Sequence, residues 1–342
     1  MRILFVCERS AGHIFPALSM AQSIGKNNEI YFFVTAPKLK RYIEQEGYEV
    51  LGRCFSKRNA FIELIYRIPE AFFIIFKIRP THVVGLGGRD SLFLVLFSRL
   101  FLLNVVIYEA NVRLGKANKI LSLLVPKVLR GFPEDKHDKK SEFVGVPLRQ
   151  NILRIDKFNA RRRLNLKDLP TILFLGGSQG CSFINRICKK FAINTASKIQ
   201  IIHITGQREY FSIRSFYNKI EGSIFVCDFY LSAEVLYSAA DVVVCRSGAS
   251  TLAEVTFFRI PAVLIPFSGA RSHQKENALF FVKRGAALMF EEGNFSFKEL
   301  GRSIEGLLFD RARRDVLAGN LSRIKLGFSP QEFMLREHLG PR

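Results

Sequence analysis

Three features of the chain dictate a pair of α/β domains, each a doubly wound parallel sheet with helices on both faces. Short apolar runs of β type alternate with amphipathic segments at helical spacing from end to end. The two halves open alike: Ile3-Leu4-Phe5-Val6 and Ile172-Leu173-Phe174-Leu175 each run into a glycine-containing turn and then a helix. A length of 342 residues, 48% hydrophobic and 24% charged, supplies two cores of ordinary size. That composition excludes a disordered tail, a collagen-like rod and a small disulfide scaffold.

In the first half the expected strands are Ile3–Cys7, Ile30–Thr35, Val83–Leu86, Asn104–Tyr108 and a short Glu142–Gly145. In the second they are Thr171–Leu175, Ile201–Thr205, Ile224–Val226, Asp241–Cys245 and Ala262–Pro266. These place a first domain at 1–149, a polar, arginine-rich linker at 150–170 and a second domain at 171–328. Leucines and isoleucines at helical spacing after Lys298 close the second domain, and a last segment, 329–342, is expected to pack back toward the first. Open sheets of this kind bind ligands at the carboxyl ends of their strands, so a cleft between the two domains is the expected site.

The formal net charge is +21 and the excess is spread over both halves, so it implies an anionic partner without locating one. Two apolar stretches favour a membrane surface, Asn59 to Lys77 and Leu92 to Ile107. Glu63, Arg67 and Glu70 interrupt the first, and the second falls short of the ~20 apolar residues that a bilayer crossing needs. Both are expected to lie on the membrane or to be core helices. No nucleic-acid reading motif or aromatic stacking platform accompanies the charge, and no nucleic-acid partner is expected. The six cysteines form no Cys-x-x-Cys pair, which fits a reduced cytosolic compartment, and the N-terminus reads too briefly apolar for a signal peptide.

Chemistry concentrates in three segments of the second half. Leu175-Gly176-Gly177-Ser178-Gln179-Gly180 combines glycines, a hydroxyl and a following helix start, a combination suited to phosphate, although a tight turn without ligand reads equally from the glycines alone. Cys245-Arg246-Ser247-Gly248-Ala249-Ser250-Thr251-Leu252-Ala253-Glu254 follows a buried strand and opens a helix, where hydroxyls and N–H groups suit a diphosphate and Glu254 a vicinal diol. Read singly, Glu254 is a solvated helix face and Arg246 a surface ion pair. His273-Gln274-Lys275-Glu276-Asn277 groups donors and acceptors for sugar hydroxyls at another helix start.

Together, in this order and at these spacings, the segments resemble the GT-B glycosyltransferases of family 28, the MurG family. The resemblance extends over Asn185, Ser238-Ala239-Ala240-Asp241 and Pro261-Ala262 and covers nearly the whole chain. It implies an enzyme, a hexosyltransferase of peptidoglycan synthesis. That enzyme would move GlcNAc from UDP-GlcNAc to the 4-hydroxyl of MurNAc in undecaprenyl-pyrophosphoryl-MurNAc-pentapeptide, with inversion and with no metal or other cofactor. It implies donor binding by Ser178, Gln179, Gly180, Arg246, Ala249, Ser250, Thr251, Glu254, His273, Gln274 and Asn277, with Phe229 or its neighbours over the uracil. It also implies a peripheral place on the cytoplasmic face of the cell membrane, on an anionic surface.

The first half departs further from the family. Its Gly-Gly-Thr-Gly-Gly-His loop stands here as Glu8-Arg9-Ser10-Ala11-Gly12-His13, before a matching Pro16-Ala17-Leu18. Three glycines are gone, and Glu8 would repel a lipid pyrophosphate unless turned away, although Arg9 would compensate. Gly87-Gly88-Arg89-Asp90-Ser91 lacks the usual proline, and Tyr108-Glu109-Ala110-Asn111 has Ala110 for a glutamine. The acceptor residues implied are Ser10, Gly12, Gly87, Gly88, Ser91, Asn111 and Arg149. For the base that takes the hydroxyl proton, His13 stands first, since imidazole titrates near pH 6.5, and Glu109 second. Another GT-B transferase or an epimerase using UDP-GlcNAc, and a non-catalytic remnant that binds the UDP-sugar, stay open as alternatives.

Overall fold

The computed structural model describes all residues except 8–10, 26–27, 54–59, 90–91, 134–137, 150–151, 178–179, 196–197, 270–272 and 329–342. The chain divides into two units, one holding Met1–Gln150 and taking up the chain again at Phe328, the other spanning Asn151–Gly327.

The first unit runs β1 (Arg2–Val6), α1 (Ala11–Ile24), β2 (Glu29–Phe33), α2 (Pro37–Gln45), β3 (Glu49–Leu51), α3 (Ala60–Ile78), β4 (His82–Gly85), α4 (Leu92–Leu100), β5 (Asn104–Glu109), α5 (Lys116–Leu121), β6 (Lys127–Arg130), β7 (Ser141–Phe143) and β8 (Val146–Pro147). Seven strands form one sheet in the order β3-β2-β1-β4-β5-β6-β7, and the pairs are parallel. Its strand interiors are fully apolar because helices cover both faces. Leu4, Val6, Val83, Val105 and Ile107 pack with Ile74 and Ile75 of α3 and Leu94 and Val95 of α4.

The second unit continues with α6 (Lys157–Arg163), β9 (Thr171–Leu175), α7 (Ser182–Thr195), β10 (Gln200–Ile204), α8 (Tyr210–Tyr217), β11 (Ser223–Cys227), α9 (Ala233–Ala239), β12 (Val242–Cys245), α10 (Ala249–Phe258), β13 (Ala262–Leu264), α11 (Gln274–Val282), β14 (Ala287–Met289), α12 (Phe297–Phe309) and α13 (Arg311–Ser322), and β15 (Gly327–Phe328) falls at its boundary. Its six-stranded sheet has the order β11-β10-β9-β12-β13-β14, again parallel. The core sets Ile172, Phe174, Val242 and Val244 against Ile187 and Phe191 of α7 and Ile304 and Leu307 of α12. In both sheets the winding direction reverses beside the first strand, between β1 and β4 and between β9 and β12. Chain ends diverge there and leave a crevice at the strands' carboxyl edge.

Three expectations are corrected. The arginine-rich stretch 150–170 is no linker along its length. Asp156 caps α6 by accepting from the Asn159 N–H, and the buried Arg161 pairs with Asp241 at 2.8 Å while donating to the Ala239 carbonyl. Charge made the segment look solvated, yet its partners lie some 80 residues on. The stretch Leu92 to Ile107 is not one segment: its middle, Leu100 to Leu102, is exposed, while Val105 to Ile107 are buried. It divides into α4 and the buried strand β5 at Leu102, whose left-handed backbone (φ +57°) ends the helix where glycine is usual. The short strands β3, β6 and β14 were not among the expected ones. The expected segment 329–342 lies outside the described residues.

Candidate nucleotide and acceptor loops

Loops after β9, β12 and β13 meet at the reversal point of the second sheet, and Arg246 joins them. Its Nη1 donates to the carbonyls of Ile265 and Pro266, each at 3.1 Å, its Nε lies 3.2 Å from Cys181 Sγ, and Glu292 Oε2 stands 2.8 Å from Nη1. The rings of Phe183 and Phe267 flank the guanidinium at 5.6 and 5.5 Å. Arg246 is buried, so the surface ion pair is excluded and its part is to hold three loops in register. One residue on, the Ser247 hydroxyl donates to the Gln274 carbonyl, and Asn277 Nδ2 donates back to the Ser247 carbonyl. Asn277 is wholly buried, and its bond ties α11 to the loop that leads into α10. Gln274 Oε1 accepts the Phe267 N–H at 3.0 Å, so it closes the loop that leads into its own helix.

The glycines are placed by contact as much as by any ligand. A Cβ on Gly176 would stand 2.5 Å from the Cys181 nitrogen, and one on Gly180 would strike the Thr205 carbonyl. Gly248 is different, since its surroundings are open and its φ of −69° suits any residue. It precedes Ala249, Ser250 and Thr251, whose N–H groups begin α10 without a side-chain cap. Ala249 is buried, whereas Ser250 and Thr251 are half-buried. His273 likewise begins α11 without capping it through its side chain and is half-buried. Ser178 and Gln179 lie outside the described residues.

Glu254, midway along α10, is buried, which excludes the solvated helix face. Its Oε2 accepts the Tyr237 hydroxyl at 2.8 Å, and the Tyr237 ring stacks on Phe258 at 5.2 Å. Tyr237 thus orients the carboxylate, and no sequence pattern announced it. A second unannounced network lies beneath the β10 loop. His203 meets the Tyr217 hydroxyl at 2.8 Å and Asn185 Oδ1 at 3.0 Å, while Asn185 Nδ2 donates to the Thr205 carbonyl and to Glu209. Burial drives the His203 pKa down to about 3, with help from Lys189, so the ring is neutral. Hydrogen bonds from Ser182 and Asn185 lower that of Glu209. Phe229 is half-exposed beyond β11, and its N–H donates to Asp228 Oδ1.

In the first unit the organising group is a carboxylate. Glu109 Oε1 accepts from Asn111 N and Nδ2 at 3.1 and 2.9 Å, and Oε2 from Gly115 N and Asn118 Nδ2 at 2.8 and 3.1 Å. Asn118 also donates to the Tyr108 carbonyl and packs against Gly87, whose φ of +91° requires glycine. Glu109, Asn111 and Gly87 are therefore drawn into one cluster, with Gly88 next to it. Four donors occupy the lone-pair positions of a carboxylate. Glu109, offered above as second candidate base, ties its loop together through these four bonds. Gly12 and His13 stand in the first turn of α1, after β1. Arg149 is exposed near Tyr42 of α2, whose hydroxyl pKa its charge lowers against the larger upward push of burial. Ser10 and Ser91 lie outside the described residues.

Exposed apolar side chains gather on the same unit. Phe73, Phe76, Leu100, Leu102 and Leu123 are each more than 60% exposed. They form a continuous surface, because Phe76 meets Phe101 at 5.6 Å and Arg99 Nε reaches the Leu124 carbonyl at 3.0 Å. Arg99 and Lys140, whose Nζ reaches the Leu123 carbonyl at 3.4 Å, border it, and Lys77 follows Phe76 in the chain. Among the described residues no helix is long and apolar enough to cross a membrane.

Known proteins share this arrangement. Residues 6–130 match the model of the glycosyltransferase family 28 N-terminal domain, and residues 171–321 that of its C-terminal domain. A Halothermothrix orenii protein is 32% identical over 95% of this chain and 95% of its own. One from Desulfotalea psychrophila is 29% identical over 94% and 92%. Both are named UDP-N-acetylglucosamine--N-acetylmuramyl-(pentapeptide) pyrophosphoryl-undecaprenol N-acetylglucosamine transferase. The crystal structure of MurG from Acinetobacter baumannii superposes with a TM-score of 0.79 at 21% identity, covering 97% of this chain and 98% of that one. Two parallel-sheet units, glycine loops at both reversal points and identity along the full length have one explanation: the chain belongs to glycosyltransferase family 28.

Proposed function

We propose that this chain transfers N-acetylglucosamine from UDP-GlcNAc to the 4-hydroxyl of MurNAc on an undecaprenyl-pyrophosphoryl-MurNAc-pentapeptide. It is an N-acetylglucosaminyltransferase of peptidoglycan synthesis. The observation that carries the reading is the Arg246 junction, which assembles the three motif loops at one reversal point. Arg246 engages the carbonyls of Ile265 and Pro266, Asn277 that of Ser247 and Asn185 that of Thr205. With those oxygens engaged, the rim is left richer in N–H groups, the polarity a diphosphate needs. Departing UDP would be stabilised by the N–H groups of Ala249, Ser250 and Thr251, with Ser178, Gln179 and Gly180 beside it, in place of a divalent cation. Glu254, oriented by Tyr237, would bind the ribose hydroxyls. His273 and Gln274 would contact the sugar, and Phe229 would cover the base.

In the first unit, Ser10, Gly12, Gly87, Gly88, Ser91, Asn111 and Arg149 would meet the acceptor. His13 would take the proton of the attacking hydroxyl as its oxygen displaces UDP from C1 with inversion, since imidazole near its ordinary pKa is matched to that task. The apolar surface of Phe73, Phe76 and Leu123 with its basic border would hold the enzyme peripherally on an anionic membrane at the cytoplasmic face, where the lipid acceptor lies. The test is transfer of labelled GlcNAc from UDP-GlcNAc to the polyprenyl-linked muramyl-pentapeptide, with and without EDTA. Labelled lipid product in both arms is expected. No transfer, conversion of the sugar without acceptor, or loss with chelator would each overturn the reading.

A further inference from the structure

The opposite edge of the second sheet carries a cavity that takes no part in the reading above. It measures about 290 Å³ and is lined by Arg154, Lys157, Tyr237, Phe258, Arg259 and Arg314, among others. Ser238 to Asp241 and Ile260-Pro261, which also line it, precede β12 and β13, so it opens at the amino ends of strands whose carboxyl ends carry the motif loops. Its volume is near the lower bound for a small-molecule site.

The charges in it are lopsided. Asp241 is already paired, to Lys157 at 2.7 Å and to Arg161 at 2.8 Å, and Asp315 stands 3.6 Å from Arg311. Arg154 spends its Nε and one Nη on the Phe257 carbonyl and lies over the Phe257 ring. That carbonyl belongs to the last turn of α10, whose negative dipole end would repel an anion were it bare. Neither Arg154 nor Arg259 has a carboxylate within ion-pair distance among the described residues. Both arginines line the cavity, and partial burial, with the nearby charge of Arg259 adding to it, lowers the pKa of Arg154. Arg259 occupies the left-handed position that ends α10, with φ +56°, where glycine is the unstrained choice. A strained arginine and a second arginine thus line one concave space.

We propose that this cavity is a binding site for a small soluble phosphate ester or diphosphate, held between Arg154 and Arg259. Guanidinium forks match phosphate oxygens bidentately, and an anion between them removes their repulsion. The occupant would also bear on Tyr237, which lines the cavity and donates to Glu254, so binding here couples to the donor site. That second part rests on the proposed function; the site itself does not.

Pyrophosphate is the probe, titrated calorimetrically into the full chain saturated with UDP, which keeps it out of the motif loops. Binding in the submillimolar range is expected, weakened at least tenfold in Arg259→Gly. This variant relieves the left-handed strain, so it folds at least as well as the parent, and Arg154→Gln should repeat the loss. Both variants should bind UDP as the parent does without pyrophosphate. In the parent, pyrophosphate should change UDP affinity severalfold, and in Tyr237→Phe that change should vanish. Absence of pyrophosphate binding at 10 mM, binding indifferent to both arginine variants, or an effect of the variants only on association with phosphatidylglycerol vesicles would each overturn the site. A chain that fails to bind UDP but still binds pyrophosphate through Arg259 would sink the proposed function and leave the site standing.

Discussion

The two units share a winding order and a place where it reverses, yet they tie their loops with opposite charges. In the second, a guanidinium at the end of β12 engages the carbonyls of Ile265 and Pro266 in the loop after β13 while reaching Cys181 after β9. In the first, a carboxylate gathers N–H groups within the single segment 109–118. A cation that takes up acceptors leaves the rim rich in donors, and an anion that takes up donors does the reverse. In the proposed function that difference is used: the donor-rich rim would take the diphosphate of the leaving UDP. The same fold acquires opposite rims through one buried residue each.

The largest expected effect separates a residue that handles a proton from one that shapes a loop. His13→Ala should lower kcat by roughly 10²- to 10⁴-fold, the usual contribution of a general base, while calorimetric UDP affinity stays within twofold. Glu109→Gln should cost about 2 kcal/mol of stability, because one amide group would face donors already aimed at an oxygen. It should raise KM for the acceptor and leave the pH profile of kcat in place. A profile that shifts with Glu109→Gln and not with His13→Ala would exchange their parts.

Arg246→Ala is next. It strands the carbonyls of Ile265 and Pro266 and the Glu292 carboxylate, and a loss of about 3 kcal/mol in denaturant unfolding is expected. UDP affinity should fall at least tenfold even where the variant is fully folded, since three loops lose their register. Arg246→Lys restores charge without the fork and should recover stability more than binding. Equal recovery of both would mean that the junction matters only to folding.

The buried His203 beneath the second rim makes a smaller, pH-dependent contribution. Its pKa is about 3 folded and near 6.5 unfolded, so below pH 6.5 the unfolded chain binds the extra proton and stability falls as pH falls, down to about pH 3. Between pH 6.5 and 5 the loss from this group is roughly 2 kcal/mol. His203→Gln should flatten that part of the stability curve. An unchanged slope would show the histidine to be already accessible to protons.

What could be read beforehand follows from range. Strand cores such as Thr171–Leu175 and the motif spacings are local patterns, and they stand where the sequence puts them. The carbonyls that Asn277 and Arg246 engage lie from 19 to 30 residues away, and Arg161 reaches Asp241 80 residues on, so the direction of each side chain depended on topology. For that reason the loop ties made by Arg246 and Asn277 were not legible, and Tyr237 drew no notice. The start of β5 at Asn104 was legible, whereas the end of α4 was not, because the apolar run continues past Leu100 and Leu102 gives no glycine or proline signal.

Gly248→Ala is the smallest perturbation and the most discriminating. Its neighbours Gly176 and Gly180 are explained by backbone contacts, and Gly177 by its φ of +86°. Gly248 has neither reason, since a Cβ there meets nothing within 4 Å. Alanine is a poorer N-cap than glycine, but it restricts the unfolded chain, and the two effects offset to within about 0.5 kcal/mol. If α10 begins against a diphosphate, the added methyl enters that ligand's space. UDP affinity should then fall severalfold at unchanged stability. Unchanged affinity would move the diphosphate away from the α10 N-terminus and leave the two rims distinguished by charge alone.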